Sequence, residues 1–288
     1  MAEFLTTKEV ADLLRIKERK VYDLASRGEI PCVKATGKLL FPRNEVDHWI
    51  QQNRGGVFET QTIRPDIVLG SHDPVFEWAL GASKSGLASM LNGSLDGLRR
   101  YQNSEGVICG LHLQNFSDDG WNTEAASPVL GQSASVLMHW AKRDRGLIVR
   151  PGSDLAGFAS IQGKRFVRRQ TEAGAQQVFE THLKSHGLSI DALDCVREAH
   201  TETEAALAIV EGQADVTFGL KCFADRYNLQ FIPVCTEWFD LIVDRYAYFE
   251  PPIQSLLRFT KSQQFLDEAA RYQGYDITDL GVIRLNGQ

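Results

Sequence analysis

The 288-residue sequence predicts an α/β protein in two parts, a small helix-turn-helix unit near the N-terminus followed by a larger body. Two short amphipathic segments within residues 5–27, separated by a three-residue turn, predict the first part. From Asp66 onward, short apolar runs alternate with helical segments, which is typical of mainly parallel sheets covered by helices. The balance of charge also changes sign between the two parts. These three observations set the fold class.

The helix-turn-helix is predicted from local capping signals. Residues 5–14 form a helix opened by a capping box, in which Thr6 accepts from the Glu9 amide and Glu9 accepts from the Thr6 amide. A second helix over 18–27 ends at Gly28, the residue type most favoured just beyond a helix. Because two helices joined so tightly normally place the second one in the major groove, the unit is expected to bind DNA.

A hairpin and a third helix follow. Two β-type runs, 30–35 and 38–42, flank a Thr-Gly turn and predict a small two-stranded hairpin. Asn44 is expected to cap a third helix whose apolar stripe ends in Trp49 and Ile50.

This order of elements resembles the excisionase/MerR-like winged-helix family. The matching residues are Thr6, Glu9-Val10-Ala11, Leu14, Val21-Tyr22-Asp23-Leu24, Arg27-Gly28-Glu29-Ile30-Pro31, Phe41-Pro42-Arg43 and Trp49-Ile50. The resemblance covers nearly all of residues 1–52. It implies a winged helix-turn-helix domain over 1–54 whose partner is double-stranded DNA.

Charge agrees with DNA binding. Between Arg15 and Arg43 there are eight basic and three acidic side chains, a balance of +5, whereas residues 55–288 carry 21 basic and 29 acidic groups, a balance of −8. A basic module attached to an acidic body concentrates the phosphate-binding surface in one part of the molecule. The residues expected to contact DNA are Lys17, Arg19, Lys20, Tyr22, Lys34, Lys38 and Arg43.

Composition argues against several other classes of protein. The longest apolar runs, such as 241–243, are far too short to span a membrane, and the N-terminus lacks a signal-peptide segment. The five cysteines are scattered and show no CxxC spacing, which indicates reduced thiols instead of disulfides or a zinc site. A cytoplasmic protein without membrane contact is therefore expected.

The body is expected to begin after a linker over 55–65 that contains Gly55 and Gly56, and to occupy 66–288. Strands are predicted at 67–70, 106–113, 135–140, 146–149, 164–167, 214–219, 231–234 and 238–243. Helices are predicted at 74–82, 174–185, 203–211, 253–260 and 262–272. The two pairs 135–140/146–149 and 231–234/238–243 are interpreted as separate strands.

The body resembles the cytoplasmic relatives of periplasmic solute-binding proteins, often fused to a helix-turn-helix and commonly described as molybdate-binding-like. The motifs that carry the resemblance include Gly70-Ser71-His72-Asp73-Pro74, Asn92-Gly93-Ser94-Leu95-Asp96-Gly97-Leu98, Gly110-Leu111-His112-Leu113, Arg169-Gln170, Gly212-Gln213-Ala214-Asp215-Val216 and Phe239-Asp240-Leu241. The resemblance covers about 66–285. It implies a type II fold with a ligand cleft between two α/β lobes, one of about 66–132 plus 244–288, the other of about 133–243.

Strand-to-helix turns in such a cleft present free backbone amides at a positive helix end, which suits an anion. The residues expected to contact the ligand are Ser71, His72, Asp73, Ser83, Ser85, His112, Arg169, Gln170, Thr171 and Glu202. Serine hydroxyls would donate hydrogen bonds, and Arg169 would complement a ligand charge. Structural roles stay open beside these: Asp73 and the serines as helix caps, Arg169 as a bridge between lobes, and His112 as a buried structural histidine.

The effector is expected to be an oxyanion, with a small organic metabolite as the alternative. The resemblance implies an oxyanion such as molybdate or tungstate. However, this chain has Glu172-Ala173-Gly174-Ala175-Gln176 where relatives show a Gly-Ser-Gly-Thr-Arg turn, and Glu202 where relatives carry a His. Because a carboxylate repels an oxyanion, a small organic metabolite is the alternative.

The sequence favours a regulator over an enzyme or an architectural protein. It has no GxSxG elbow, no Gly-rich phosphate loop and no metal-ligand motif beyond the weak pair His182 and His186. An excisionase-like architectural factor would leave the large body unexplained. The prediction is a ligand-responsive one-component transcriptional regulator, without cofactor or metal, that acts as a homodimer or higher homo-oligomer on DNA.

Overall fold

The computed structural model describes residues 4–35, 37–52, 63–117 and 120–287. The chain divides into two compact units, Met1–Thr62 and Ile63–Gln288, called the N-terminal unit and the body. Most of the expected linker, including Gly55 and Gly56, lies outside the described residues. Among the described helices, none is long and apolar enough to cross a membrane.

The described part of the N-terminal unit contains three helices, α1 (Thr7–Leu14), α2 (Glu18–Ser26) and α3 (Arg43–Gln52). Three short antiparallel strands, β1 (Phe4–Thr6), β2 (Val33–Ala35) and β3 (Lys38–Pro42), form a sheet in the order β1-β3-β2. The predicted capping box is present, because the Thr6 amide donates to Glu9 Oε2 at 2.7 Å and the Glu9 amide donates to Thr6 Oγ1 at 3.4 Å.

Two details of this unit differ from the prediction. Helix α3 begins at Arg43, so Asn44 lies inside its first turn and does not cap it; the Arg43 side chain instead pairs with Asp47, one turn later. Strand β1 was not predicted, because three residues are too few to show a period of two, and it contains Leu5 and Thr6, which were expected in the first helix. Its pairing places Leu5 opposite the buried Phe41 and so adds it to the core.

The body contains ten strands and eight α-helices among the described residues. The strands are β4 (Ile67–Gly70), β5 (Ala88–Met90), β6 (Ile108–Leu111), β7 (Ser135–Val149), β8 (Arg165–Arg169), β9 (Asp194–Ala199), β10 (Val216–Leu220), β11 (Gln230–Asp244), β12 (Tyr275–Asp276) and β13 (Ile283–Asn286). The helices are α4 (Pro74–Ala82), α5 (Ser94–Gln102), α6 (Thr123–Leu130), α7 (Gly174–Ser185), α8 (Glu202–Val210), α9 (Lys221–Arg226), α10 (Pro251–Phe259) and α11 (Gln263–Ala269).

The strands of the body are hydrogen-bonded in the order β5-β4-β6-β11-β7-β10-β8-β9, with β12 and β13 also on β7. The strands β5-β4-β6 are parallel to one another, as are β10-β8-β9, whereas β7 and β11 are antiparallel to their neighbours. We call the β4–β6 side, with α4–α6, α10 and α11, lobe 1, and the β8–β10 side, with α7–α9, lobe 2. Strands β7 and β11 run through both lobes.

The prediction of two separate strand pairs was wrong, because β7 and β11 are single strands of 15 residues each. The charged residues at 143–145 interrupt the apolar pattern and therefore resemble a turn in the sequence. In the structure they continue the ladder, with Arg143 paired in register with Glu237 and Arg145 with Cys235. The prediction of mainly parallel sheets holds for the outer strands of each lobe and fails for the centre.

Each lobe has its own apolar core. In lobe 1, Phe76, Trp140, Phe239 and Phe265 are buried against one another. In lobe 2, Phe166 stacks on Phe179 with ring centroids 4.4 Å apart. The continuous strands hold these two cores on either side of a polar boundary, where the candidate site lies.

Candidate functional site

A cleft between the lobes collects several strand ends and helix starts. Ser71 follows β4 and His112 follows β6 on the lobe 1 side, while Arg169 ends β8 and Glu202 begins α8 on the lobe 2 side. These four residues line a cavity of about 20 Å³. The other lining residues are His72, Leu91, Gly93, Gln170, Ala173 and Ala175. Because a single water needs roughly 10–15 Å³ measured in this way, the cavity holds little more than one water.

The space around this cavity is filled by a buried ionic cluster, which we call the cleft network. Its members are Asp73, His112, Arg143, Arg145, Arg169, Glu202, Glu237 and Tyr275. Arg143 Nη1 donates to Asp73 Oδ2 at 2.8 Å, and its Nη2 donates to Glu237. Arg145 binds Glu237 with two donors, Nε at 2.7 Å and Nη2 at 2.9 Å. The strands explain this contact, because residues 143 and 145 project from the same face of β7.

Glu202 and Arg169 extend the cleft network into lobe 2. Glu202 Oε1 accepts from Arg145 Nη1 at 2.9 Å and lies 3.2 Å from Arg169 Nη1. Arg169 also donates to two backbone carbonyls, those of Ala199 at 3.1 Å and His200 at 2.9 Å. Its guanidinium therefore has partners within the protein.

The charges of the cleft network balance. Three guanidinium groups face three carboxylates, all of them on residues at most 8% exposed. Burial by itself raises the pKa of Glu237, but the charges of Arg143 and Arg145 outweigh it and hold that pKa well below its ordinary value. In the same way, Arg145 and Arg169 lower the pKa of Glu202 against the effect of burial. Both carboxylates are therefore ionised at neutral pH.

His112 adds a neutral member to the cleft network. Its Nδ1 lies 2.9 Å from Glu237 Oε2, and because a carboxylate oxygen only accepts, Nδ1 carries the proton. Burial lowers the pKa of His112 and outweighs the opposite effect of Glu237. The ring is therefore uncharged at pH 7, and the formal charge of the whole cleft network is zero.

Close backbone contacts join the lobes beside the cavity. Gln170 Nε2 in lobe 2 donates to the Asn92 carbonyl in lobe 1 at 2.8 Å. Gly93 has a φ of +122°, and a Cβ placed there would lie only 2.4 Å from the Glu172 carbonyl oxygen. Glycine is therefore required at residue 93 both by the backbone conformation and by the approach of lobe 2.

The structure brings six of the ten expected ligand residues to the cavity, namely Ser71, His72, His112, Arg169, Gln170 and Glu202. Asp73 lies behind it, where its Oδ1 caps α4 by accepting from the Phe76 amide at 2.7 Å and its Oδ2 accepts from Tyr275 at 2.9 Å. Thr171 is exposed beside the cleft, and its carbonyl accepts from Gln177.

Ser83 and Ser85 are not among the residues that line the cavity. They follow α4 and precede strand β5, whereas both were expected in a turn ahead of a helix. Both hydroxyls hydrogen-bond the Leu80 carbonyl, at 3.2 and 3.5 Å. The turn that does precede the next helix is 91–93, and the serine it delivers is Ser94, whose Oγ lies 2.7 Å from Ser71 Oγ and accepts from the His112 amide.

Half of the cleft network was not predicted from the sequence. Arg143, Arg145, Glu237 and Tyr275 were not among the expected site residues. A signal was present, because two arginines at i and i+2 between apolar runs place two charges on one face of a strand that is otherwise buried. Buried charges of this kind require partners, so the pattern indicates an ionic cluster.

The N-terminal unit presents a second candidate surface, for nucleic acid. All seven expected contact residues are exposed, and Tyr22 on α2 is 51% exposed. A groove of about 540 Å³ brings Tyr22, Lys34 and Lys38 together with Lys8 of α1, which sequence reasoning missed. Arg43 is separate from this groove and is paired with Asp47. The groove therefore combines three cationic side chains with an aromatic ring.

Each of the two units matches a known protein family. Residues 4–54 match the helix-turn-helix domain family, and residues 79–261 match the PBP superfamily domain. An uncharacterized protein of Bacillus subtilis (strain 168), YvgK, is 22% identical over 97% of each chain.

Two solved structures share the fold of the body. One is a putative phosphate ABC transporter substrate-binding protein with bound phosphate from Clostridium perfringens, which is 12% identical, with a TM-score of 0.54 over 75% of this chain and 98% of that one. The other is PhnD1 from Prochlorococcus marinus (MIT 9301) in complex with methylphosphonate, which is 9% identical, with a TM-score of 0.50 over 74% of this chain and 92% of that one. At these identities the likeness concerns the fold alone. Because the PBP superfamily match covers residues 79–261, more than half of the chain, the chain belongs to that superfamily, and it carries a helix-turn-helix domain ahead of its solute-binding-type fold.

Proposed function

We propose that this protein is a ligand-responsive one-component transcriptional regulator, in which the N-terminal unit binds operator DNA and the body binds a small solute between its lobes. The observation that carries the proposal is a polar cleft between two lobes on the same chain as a helix-turn-helix domain. A cytoplasmic location follows from this role.

The DNA-binding surface would consist of α2 and the β2–β3 hairpin, acting as recognition helix and wing. Lys17, Arg19 and Lys20 at the start of α2 would reach base edges or adjacent phosphates. The groove residues Lys8, Lys34 and Lys38 would contact the phosphate backbone, because a flexible ammonium group suits a phosphate better than a base edge.

The DNA-binding proposal is tested by selecting operators from random double-stranded DNA with the full chain and then measuring affinity over a salt series. The double variant Arg19→Ala/Lys20→Ala is expected to weaken binding of the selected operator by roughly 1–3 kcal/mol for each side chain that reads a base. Lys38→Ala is expected to reduce the slope of log K against log salt by about 0.9. Lys184→Ala, an exposed lysine on α7, is the control and should change neither value. Unaltered operator binding in the double variant would exclude α2 as the recognition helix.

The chemical class of the solute is the finer part of the proposal. The solved structures of the same fold include proteins with bound phosphate and methylphosphonate, which suits the oxyanion alternative. In this chain, however, the arginines that line or adjoin the cavity are already paired with carboxylates. The charge pairing favours the other alternative, a small organic molecule.

The solute proposal is tested by a thermal-shift screen of the full chain with oxyanions and small metabolites. A solute that binds the folded body raises the melting temperature as its concentration exceeds Kd. A screen in which no compound of either class shifts the melting temperature would favour an architectural DNA-binding protein.

We also propose that the protein acts as a homodimer. A single small helix-turn-helix contacts only one half-site, whereas two linked copies raise the effective concentration of the second module and select a palindromic operator. Sedimentation velocity of the full chain with and without operator tests this, and a monomer on a single half-site would contradict it.

A further inference from the structure

Glu202 occupies an unusual place in the cleft. It is the first residue of α8, its side chain lines the cavity, and only 6% of it is exposed. One oxygen of its carboxylate, Oε1, joins Arg145 to Arg169, with nitrogen–oxygen distances of 2.9 and 3.2 Å. A carboxylate that bridges two guanidinium groups takes the position that an oxygen of an anionic ligand would take.

The fold makes room for this carboxylate on its other side. Gly219 is the penultimate residue of β10, and a Cβ placed there would come within 2.8 Å of Glu202 Oε2. The missing side chain at residue 219 therefore leaves space for the second oxygen. A glycine inside a strand often marks such a close approach.

We propose that Glu202 is a built-in counter-ion that takes the place of an anionic ligand group and so makes the cleft select solutes without net charge. Free oxyanions are excluded by this arrangement. The inference rests on the proposed role of the body as a solute sensor and names the ligand class for it.

Oxyanions are excluded because the charges of the cleft network already balance. Three arginines and three carboxylates sum to zero, and His112 is neutral. A divalent or monovalent oxyanion entering this buried region would add charge that no residue of the cleft network compensates, which is strongly unfavourable in a low-dielectric interior. A solute bearing one carboxylate and one ammonium group preserves the balance, with its carboxylate on Arg169 and its ammonium on Glu202. A neutral polar solute preserves it as well.

The cavity volume adds a second requirement. A space of about 20 Å³ admits no solute of this kind, so the lobes must separate before it enters. The contacts to be released include the hydrogen bond from Gln170 to the Asn92 carbonyl and the one from the Leu95 amide to the Glu172 carbonyl, both of which join the two lobes.

The experiment compares wild-type full-length protein with Glu202→Gln, which keeps the shape of the side chain and removes its charge. Glu211→Gln is the matched control, because it makes the same charge change at the exposed end of α8. The probes are sodium phosphate and sodium molybdate, with sodium chloride at equal ionic strength as reference. Binding is followed by the shift in melting temperature and by calorimetry.

Glu202→Gln is expected to gain a concentration-dependent rise in melting temperature with phosphate or molybdate, and at least about tenfold tighter binding than wild type. Wild type and Glu211→Gln are expected to respond to the oxyanions no more than to chloride. Oxyanion binding by wild type equal to that of Glu202→Gln, or no gain in Glu202→Gln, would overturn the proposal. Should Glu202→Gln fail to fold, the wild-type calorimetry alone decides, since any oxyanion dissociation constant below ~1 mM contradicts exclusion.

This measurement needs no DNA, so it separates the inference from the proposed function. If Glu202→Gln gains oxyanion binding but no solute changes the operator affinity, Glu202 remains the residue that determines solute selectivity, and the proposed regulator function is rejected. If phosphate or molybdate changes the operator affinity of the wild-type protein, the proposed regulator function is retained and the role of Glu202 is rejected.

Discussion

At the scale of single residues, the buried carboxylate of Glu237 accepts more hydrogen bonds than any other carboxylate of the cleft network. It accepts from Arg143 and from Arg145, and His112 donates to it from the end of β6. Removing one partner from a buried ion pair is costly because the other charge stays buried without compensation. The stability of the body therefore depends on this residue more than on any exposed ion pair of its surface.

Replacing Glu237 with Gln should lower the free energy of unfolding by roughly 3–5 kcal/mol, since two arginines lose their shared counter-ion. Urea denaturation at pH 7 measures the change. The control is Glu211→Gln, whose exposed carboxylate should matter by no more than about 0.5 kcal/mol. Equal stability of the two variants would contradict the role given to the cleft network.

The pH dependence of stability follows from the same residues. Burial lowers the pKa of His112 below its ordinary value of 6.5, so between the two values the unfolded chain binds a proton that the folded chain excludes. Stability from His112 is therefore present above pH 6.5 and is lost as the pH falls below it. Glu202 and Glu237 have pKa values below the ordinary 4.5, so their contribution is lost only at still lower pH.

The unfolding free energy should therefore decline as pH is lowered from 7 toward 5, and His112→Asn should decline less steeply. One proton corresponds to at most about 1.4 kcal/mol per pH unit. Urea midpoints at several pH values for both proteins give the slopes. The pKa of His182 is also lowered by burial, but this residue is present in both proteins and cancels in the comparison. Identical slopes would show that His112 does not titrate as its surroundings require.

At the scale of elements, the turn between β5 and α5 sets how closely the lobes approach. Gly93 in this turn has a positive φ and contacts the backbone of Glu172 in the opposite lobe. Gly157 has a similar backbone conformation, with φ +155° and ψ −165° against +122° and 162° in Gly93, but nothing lies within 4 Å of a Cβ placed there. The pair separates the backbone cost of a substitution from the steric cost.

Gly93→Ala should destabilise the body by about 1–3 kcal/mol more than Gly157→Ala, because its added methyl group is forced against a carbonyl. Both variants would be compared by urea denaturation under the same conditions. An equal loss of stability in the two proteins would mean that the lobes can move apart at this turn without cost.

At the scale of the whole molecule, the expected behaviour is a coupling between solute and operator. A solute that contacts both lobes favours one arrangement of them by its difference in affinity, and DNA affinity then changes by the same factor as solute affinity. Such couplings are typically about 1–3 kcal/mol, which is roughly 5- to 150-fold in operator affinity. Operator titrations at fixed salt, with and without a saturating solute, measure the factor. Without solute, Arg169→Ala should bind the operator as tightly as wild type, and adding solute should not change that affinity. If saturating solute leaves the operator affinity of wild type unchanged, the protein binds solute and operator independently.

The elements of the N-terminal unit could be predicted because their causes are local. Thr6 and Glu9 are three residues apart, and Gly28 follows directly on α2, so the hydrogen bonds and backbone angles that end each helix can be recognised in a few consecutive residues. The same holds for the α/β alternation and for the strand-end residues Ser71 and His112. The sequence by itself therefore determined the two-part organisation, and six of the ten residues that it predicts as ligand contacts line the cavity.

Only the tertiary structure decided what surrounds the cavity. Arg143 and Asp73 are 70 residues apart and Arg145 and Glu237 are 92 apart, and each pair meets through the order and register of the strands. The same register makes β7 and β11 continuous through a charged segment that resembles a turn in the sequence. It also assigns Ser94, instead of Ser83 and Ser85, to the neighbourhood of Ser71. Capping and turn formation act over a few residues, whereas the pairing of buried charges depends on which strands become neighbours, and no short segment of the sequence contains that information.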